Sequence, residues 1–165
     1  MSDAKKAIDF SDFLKKNLGI SQAPFEAVLN YGYALLAITG ADGEVSEAEL
    51  NWLLNHQRMV GAPEEAIEKY KTFEYKDADL EKLLTKITVD VPTWSKSRTL
   101  LYHAIQMARA DQNYSLEEQV AVKKAAKLLN VEDDIALAIN RLIYTEEAVT
   151  ALRKALLQTE VLEDV

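Results

Sequence analysis

The chain has no cysteine, which excludes disulfides, zinc–thiolate centres and cysteine nucleophiles and fits a reducing, cytoplasmic setting. Its 165 residues hold only five glycines and three prolines, so hairpin punctuation is scarce. The apolar candidates are mostly Leu, Ala and Ile, which favours helix over sheet. No apolar run reaches the roughly 20 residues that a bilayer span requires. Met1 to Gly19 is charged and lacks a continuous apolar stretch, so no secretory signal is expected there. Basic charge is in deficit: 19 Lys and Arg face 27 Asp and Glu, for a net charge of −8. Such a surface repels phosphates, and nucleic acid is not an expected partner. Catalytic signatures are missing too. There is no Gly-rich phosphate loop, no Gly-x-Ser-x-Gly, no His-Glu-x-x-His and no Glu-x-x-His pair of the di-iron kind. A hydrolase built on paired carboxylates is a third-ranked reading, and it requires a deep cleft at those carboxylates.

What is present is 48% apolar and 28% charged, the balance of a globular chain long enough for one domain with a full core. Ala4 to Asn17 reads as an amphipathic helix, with Lys5, Lys6, Lys15 and Lys16 interleaved among Ile8, Phe10, Phe13 and Leu14. Docking on the body is favoured over a membrane-surface role. Pro24 opens a second helix to Thr39, stopped by Gly40. Further helices are expected from Ser46 to Gly61, Glu64 to Phe73, Asp77 (as N-cap) to Ile87, Ser95 to Ala110 and Ser115 to Leu129. Two more follow, Glu132 to Ile143 and Thr145 to Leu162, the last capped by Thr145. Thr88 to Pro92 is read as a connector. The fold class is therefore all-α, a single bundle of roughly seven to nine helices. Residues 1–22 form an N-terminal helix and connector, 23–150 the helical domain, and 151–165 the end of the last helix and an acidic tail.

Within this pattern the chain repeats itself. Tyr33 to Ala66 lies over Tyr102 to Ile135 without a gap, at a constant offset of 69 residues (Tyr33 to Tyr102). Tyr33, Ala41, Asp42, Ser46 and Glu49 recur as Tyr102, Ala110, Asp111, Ser115 and Glu118. A helix–turn–helix used twice is expected to pack on itself about a pseudo-twofold axis, bringing two acidic turns close together.

The first turn, Ala41 to Glu49, looks like the back half of an EF-hand loop, but Ile38 and Gly40 stand where oxygen donors are needed. The copy has Met107 and Arg109 there. A single turn cannot supply the six to eight oxygens that Ca²⁺ prefers, so an EF-hand is rejected. Ser46-x-x-Glu49 and Ser115-x-x-Glu118 both fit the capping box, which explains the repeated Ser and Glu without any ligand. It does not explain Asp42 and Asp111, which follow helix C-termini where the dipole disfavours an anion. A turn-forming role for the Asp offsets that cost. A cation shared between the turns offsets it better, with Asp42, Glu49, Asp111 and Glu118 as carboxylate ligands and Asn113 as a further oxygen donor. Ligand hardness selects Ca²⁺ or Mg²⁺. His56 lies seven residues after Glu49, and His103, Met107 and Asp111 share a helix face. Lone helical histidines are read first as structural, and Trp52 and Trp94 as packing residues.

With these residues in view, the chain resembles the TerB-like family, named for a bacterial tellurite-resistance protein. The resemblance rests on Ala-Asp-Gly-Glu-Val-Ser-Glu-Ala-Glu (Ala41 to Glu49) after an apolar helix, and on its copy from Ala110 to Glu118. It covers roughly Phe25 to Val149. It implies an all-α, pseudo-symmetric, non-enzymatic module of stress-response systems, with divalent-metal binding or scaffolding as its work. Its acidic positions fall on Asp42, Glu49, Asp111 and Glu118. A protein partner is implied, basic or membrane-associated; the alternative to metal binding is a metal-free scaffold with an acidic docking face. The second turn departs from the pattern, with Gln112 in place of the glycine and Tyr114 in place of the small aliphatic residue. The two turns are therefore not expected to hold a cation equally.

Overall fold

The computed structural model describes residues 7–89, 91–111 and 116–158; within these, the side chains of Phe13, Asp42, Asp111, Ala121 and residues 116–119 lie outside the description. The chain enters through a two-residue strand β1 (Ile8–Asp9), helix α1 (Asp12–Leu18) and strand β2 (Gln22–Ala23). The strands pair antiparallel, Ile8 opposite Ala23. This corrects the expected helix from Ala4 to Asn17. Ser11 caps the helix instead, its hydroxyl accepting from the Leu14 N–H at 3.5 Å, so α1 starts at Asp12. Ile8 is thereby freed to pair with Ala23 and bury its side chain.

Six longer helices and a short one follow. They are α2 (Phe25–Thr39), α3 (Glu47–Val60), α4 (Glu64–Lys71), α5 (Leu80–Thr85), α6 (Lys96–Ala108), α7 (Leu116–Leu128) and α8 (Asp133–Leu157). Three-residue 3₁₀ turns stand at Gly40–Asp42, Tyr75–Asp77 and Arg109–Asp111. Asp79, not the expected Asp77, caps α5, its carboxylate accepting from Lys82 N–H. The two helices expected after Glu132 are one: α8 runs 25 residues without a glycine or proline to stop it. Thr145 caps nothing, since its hydroxyl donates to the carbonyl of Arg141 from inside the helix.

The core is built around α2 and α6, which pack side by side. Ala34, Leu35, Leu36, Leu100, Leu101, Ile105 and Met107 are all buried here. Two contacts fix their relative direction. The Tyr31 hydroxyl meets His103, and eight residues later Thr39 meets Met107. The helices therefore run the same way, and both turns leave from one end of the pair.

The duplication is structural as well as sequential. α2 ends at Thr39 and α6 at Ala108; the 3₁₀ turns begin at Gly40 and Arg109; α3 and α7 begin at Glu47 and Leu116; α4 and α8 begin at Glu64 and Asp133. Each of these pairs keeps the offset that relates Tyr33 to Tyr102. The packing is reciprocal, with α3 against α6 and α7 against α2, as a pseudo-twofold demands.

One close approach holds α4 to the centre. A Cβ on Gly32 would lie 2.3 Å from the Tyr70 ring, so only glycine lets that ring lie on α2. The Tyr70 hydroxyl then donates to the Val28 carbonyl at 3.0 Å. Gly32→Ala is expected to destabilise the protein by about 1–3 kcal/mol through overpacking, read as a lower urea midpoint with unchanged slope. Wild-type stability for that variant would contradict the contact.

Candidate functional site

The end of the α2–α6 pair carries both acidic turns. The side-chain contact between Thr39 and Met107, 3.5 Å from Oγ1 to Sδ, joins the last turn of each helix just before the chain leaves it. The second turn also packs against α3, the helix that the first turn opens. The backbones of the two repeats are thus neighbours, as the sequence pattern predicts.

In the first turn, Gly43 holds φ 155° and ψ −130°, a conformation that residues with a side chain rarely adopt. Its counterpart, Gln112, lies outside the described residues. The Ser46–Glu49 capping box forms as expected. The Ser46 hydroxyl accepts from Glu49 N–H at 3.1 Å, and Glu49 Oε2 accepts from Ser46 N–H at 2.9 Å. The matching box at Ser115 and Glu118 lies outside the described residues, as do Asn113 and the side chains of Asp42 and Asp111. Among the four candidate carboxylates, Glu49 is the one whose side chain is described. Among the described residues, no group of three His, Asp or Glu side chains is placed to hold a metal.

A tyrosine covers each turn, and the two are related by the same offset, Tyr75 to Tyr144. A Cβ on Gly40 would lie 2.4 Å from the Tyr75 ring, and the Tyr75 hydroxyl accepts from Val45 N–H at 3.1 Å. Gly40 thus serves close approach to a ring; the chain continues through it as a 3₁₀ turn. At the second turn its counterpart is Arg109, whose guanidinium lies 4.2 Å from the centre of the Tyr144 ring. Arg109 also pairs with Glu147 through two bonds, 3.1 Å and 2.5 Å. Asp111 therefore follows by two residues an arginine already paired with Glu147, whereas the first turn meets Lys76 through Glu44, at 3.6 Å.

Deeper along the same helices is a buried polar cluster that sequence reasoning missed as a unit. His56 on α3 and His103 on α6 have ring centres 4.4 Å apart and exposures of 8% and 5%, so both belong to the core. Trp52 stacks on His56, and the Tyr31 hydroxyl meets His103 Nδ1 at 2.6 Å. Gln57 fixes the neighbouring pattern. Its Nε2 donates to the Val28 carbonyl and to the Tyr70 hydroxyl, so its Oε1 faces Nδ1 of His56 at 3.0 Å. An amide oxygen only accepts, hence His56 carries its proton on Nδ1 and leaves Nε2 as an acceptor. The cluster borders a mostly apolar cavity of about 50 Å³ lined also by α1 and by Ile87, Val89 and Trp94. Burial lowers the pKa of both histidines, that of His103 well below its ordinary value with His56 adding to the effect. Burial likewise raises Tyr31 well above the usual phenol range. One signal in the sequence pointed here. The repeat partners of His56 and His103 are Ala125 and Ala34, both buried. A histidine that replaces a core alanine of its own copy must be accommodated inside.

Against known proteins, the chain is similar to the crystal structure of a tellurite resistance protein from Nostoc punctiforme. Identity is 30% over 95% of this chain and 96% of that one, with a TM-score of 0.78. No family model and no curated protein matches it. Among the described residues, no helix is long and apolar enough to cross a membrane.

The histidine pair sets an acid limit. The folded pKa values lie below the unfolded value of about 6.5. Above that pH both states are neutral and the histidines do not change stability. Below it the unfolded chain takes up protons that the fold refuses, and stability falls by up to about 1.4 kcal/mol per pH unit for each histidine. The melting temperature is expected to drop from pH 7 to pH 5, and less steeply in His103→Gln. Equal slopes for the two proteins would contradict a buried neutral pair.

Proposed function

Because this chain belongs to the TerB-like family of tellurite-resistance proteins, we propose that it is a non-enzymatic stress-response module that binds a divalent cation between its two acidic turns. The observation that supports this most is the Thr39–Met107 contact, which sets the two turns at one end of one helix pair. Asp42, Glu49, Asp111 and Glu118 are the carboxylates that would hold the ion. All are hard oxygen donors, which favours Ca²⁺ or Mg²⁺ over softer metals. Capping engages Oε2 of Glu49, and a carboxylate has a second oxygen and about four lone-pair sites, so cap and ligand roles are chemically compatible. The ion would offset the cost of placing Asp42 and Asp111 after helix C-termini. Arg109 beside Asp111 and the missing glycine at Gln112 make the first turn the stronger contributor.

Calorimetric titration with Ca²⁺, Mg²⁺ and Zn²⁺ tests the proposal. The expected result is heat with Ca²⁺ or Mg²⁺ that disappears in the Asp42→Ala/Asp111→Ala double variant, with Asp42→Ala alone costing more affinity than Asp111→Ala. No heat at millimolar metal would overturn it. The acidic-scaffold reading would then stand, and it predicts a basic partner released by salt and retained in chelator.

A further inference from the structure

The second half of α8 presents an apolar stripe to solvent. Ile143 is buried against the bundle and Glu147 holds Arg109, which defines the inward side of the helix. On the other side stand Leu142, Thr145, Val149, Leu152 and Leu156, spaced alternately three and four residues apart. This is the a/d pattern of a coiled-coil seam. Exposure is about equal at Leu142 and Val149, 48% and 47%, and rises to 59% at Leu152 and 67% at Leu156. From Tyr144 to Gln158, every side chain except partly buried Ala155 is exposed.

We infer that this stripe is a homodimer seam, occupied by the same helix of a second copy running antiparallel. Charge selects the occupant and its register. With Val149 opposite the partner's Leu152, and Thr145 opposite its Leu156, the e positions on one flank bring Glu146 to the partner's Arg153 twice, once on each side of the dyad. Sliding by one heptad in either direction sets Glu146 against Glu146 or Arg153 against Arg153, which repel. The other flank meets as Ala148 against Ala155, small enough for close approach of the helices. Antiparallel pairing also carries the two bundles, each attached through the first part of α8, to opposite ends of the seam. One carboxylate oxygen of Glu146 accepts from the Tyr102 hydroxyl of its own bundle, and the carboxylate's second oxygen is the one that would meet the partner's Arg153. The seam involves neither acidic turn, so it stands apart from the cation proposal.

Sedimentation equilibrium of the full chain tests the seam. The expected mass is twice the 18.5 kDa of the monomer. Leu152→Asp is expected to give a monomer with unchanged circular dichroism, and Arg153→Glu to weaken the dimer about tenfold. Since the chain has no cysteine, single spin labels are easily placed. A label at Ala151, beside the dyad, should give a short intermolecular distance, and one at Gln158 a long one. A monomer at submillimolar protein, a dimer indifferent to Leu152→Asp, or short distances at both labels would each overturn the inference.

Discussion

Burial of one face of α2 against one face of α6 is the constraint on which the other features depend. Ala34, Leu35, Leu100 and Leu101 have no exposed surface, so the two helices approach as core elements. Apolar area removed from water is the dominant favourable term in folding, and Leu35, Leu36, Leu100, Leu101, Ile105 and Met107 of this pair are among the largest fully buried side chains. The same packing aligns the helix ends. Because the helices run in the same sense, their C-terminal turns cannot separate without uncovering that face. Nearness of the acidic turns is thus a by-product of hydrophobic burial.

The two halves have diverged where duplication permits. The offset that carries Tyr33 to Tyr102 also carries Tyr75 to Tyr144, beyond the stretch where residues match closely. Each tyrosine covers its own turn, one over a glycine and the other beneath a guanidinium. Core alanines of one copy are histidines in the other, and those histidines meet at the junction of α3 and α6. Duplication supplies the frame. Asymmetry within it supplies a first turn with room for an unusual glycine and a second turn with its own arginine.

The helical class, the capping box at Ser46 and the gapless repeat were legible because each depends on local spacing: apolar period, Ser-x-x-Glu, and identity at fixed offset. The misread elements depend on partners distant in sequence, or on a cap. Ile8 looked helical among alternating Lys and Phe, but its backbone pairs with Ala23. Thr145 looked like a cap because Glu146 and Glu147 follow it, but nothing before it breaks the helix, and those two glutamates instead hold Tyr102 and Arg109. His56 and His103 each look like a lone helical histidine in the sequence, while their meaning lies in being adjacent. The nearness of the turns followed from the repeat. The identity of what they hold is a matter of side-chain oxygens, which spacing alone does not orient.

The paired helix ends bring the turns together, and they meet in the contact between Thr39 and Met107. The chain has three methionines, so methyl-labelled protein gives few methionine signals to assign. A methyl–methyl nuclear Overhauser cross-peak between Thr39 and Met107 measures the approach directly. A strong cross-peak is expected in the metal-free protein; its absence from a spectrum in which both methyls are assigned would contradict the arrangement.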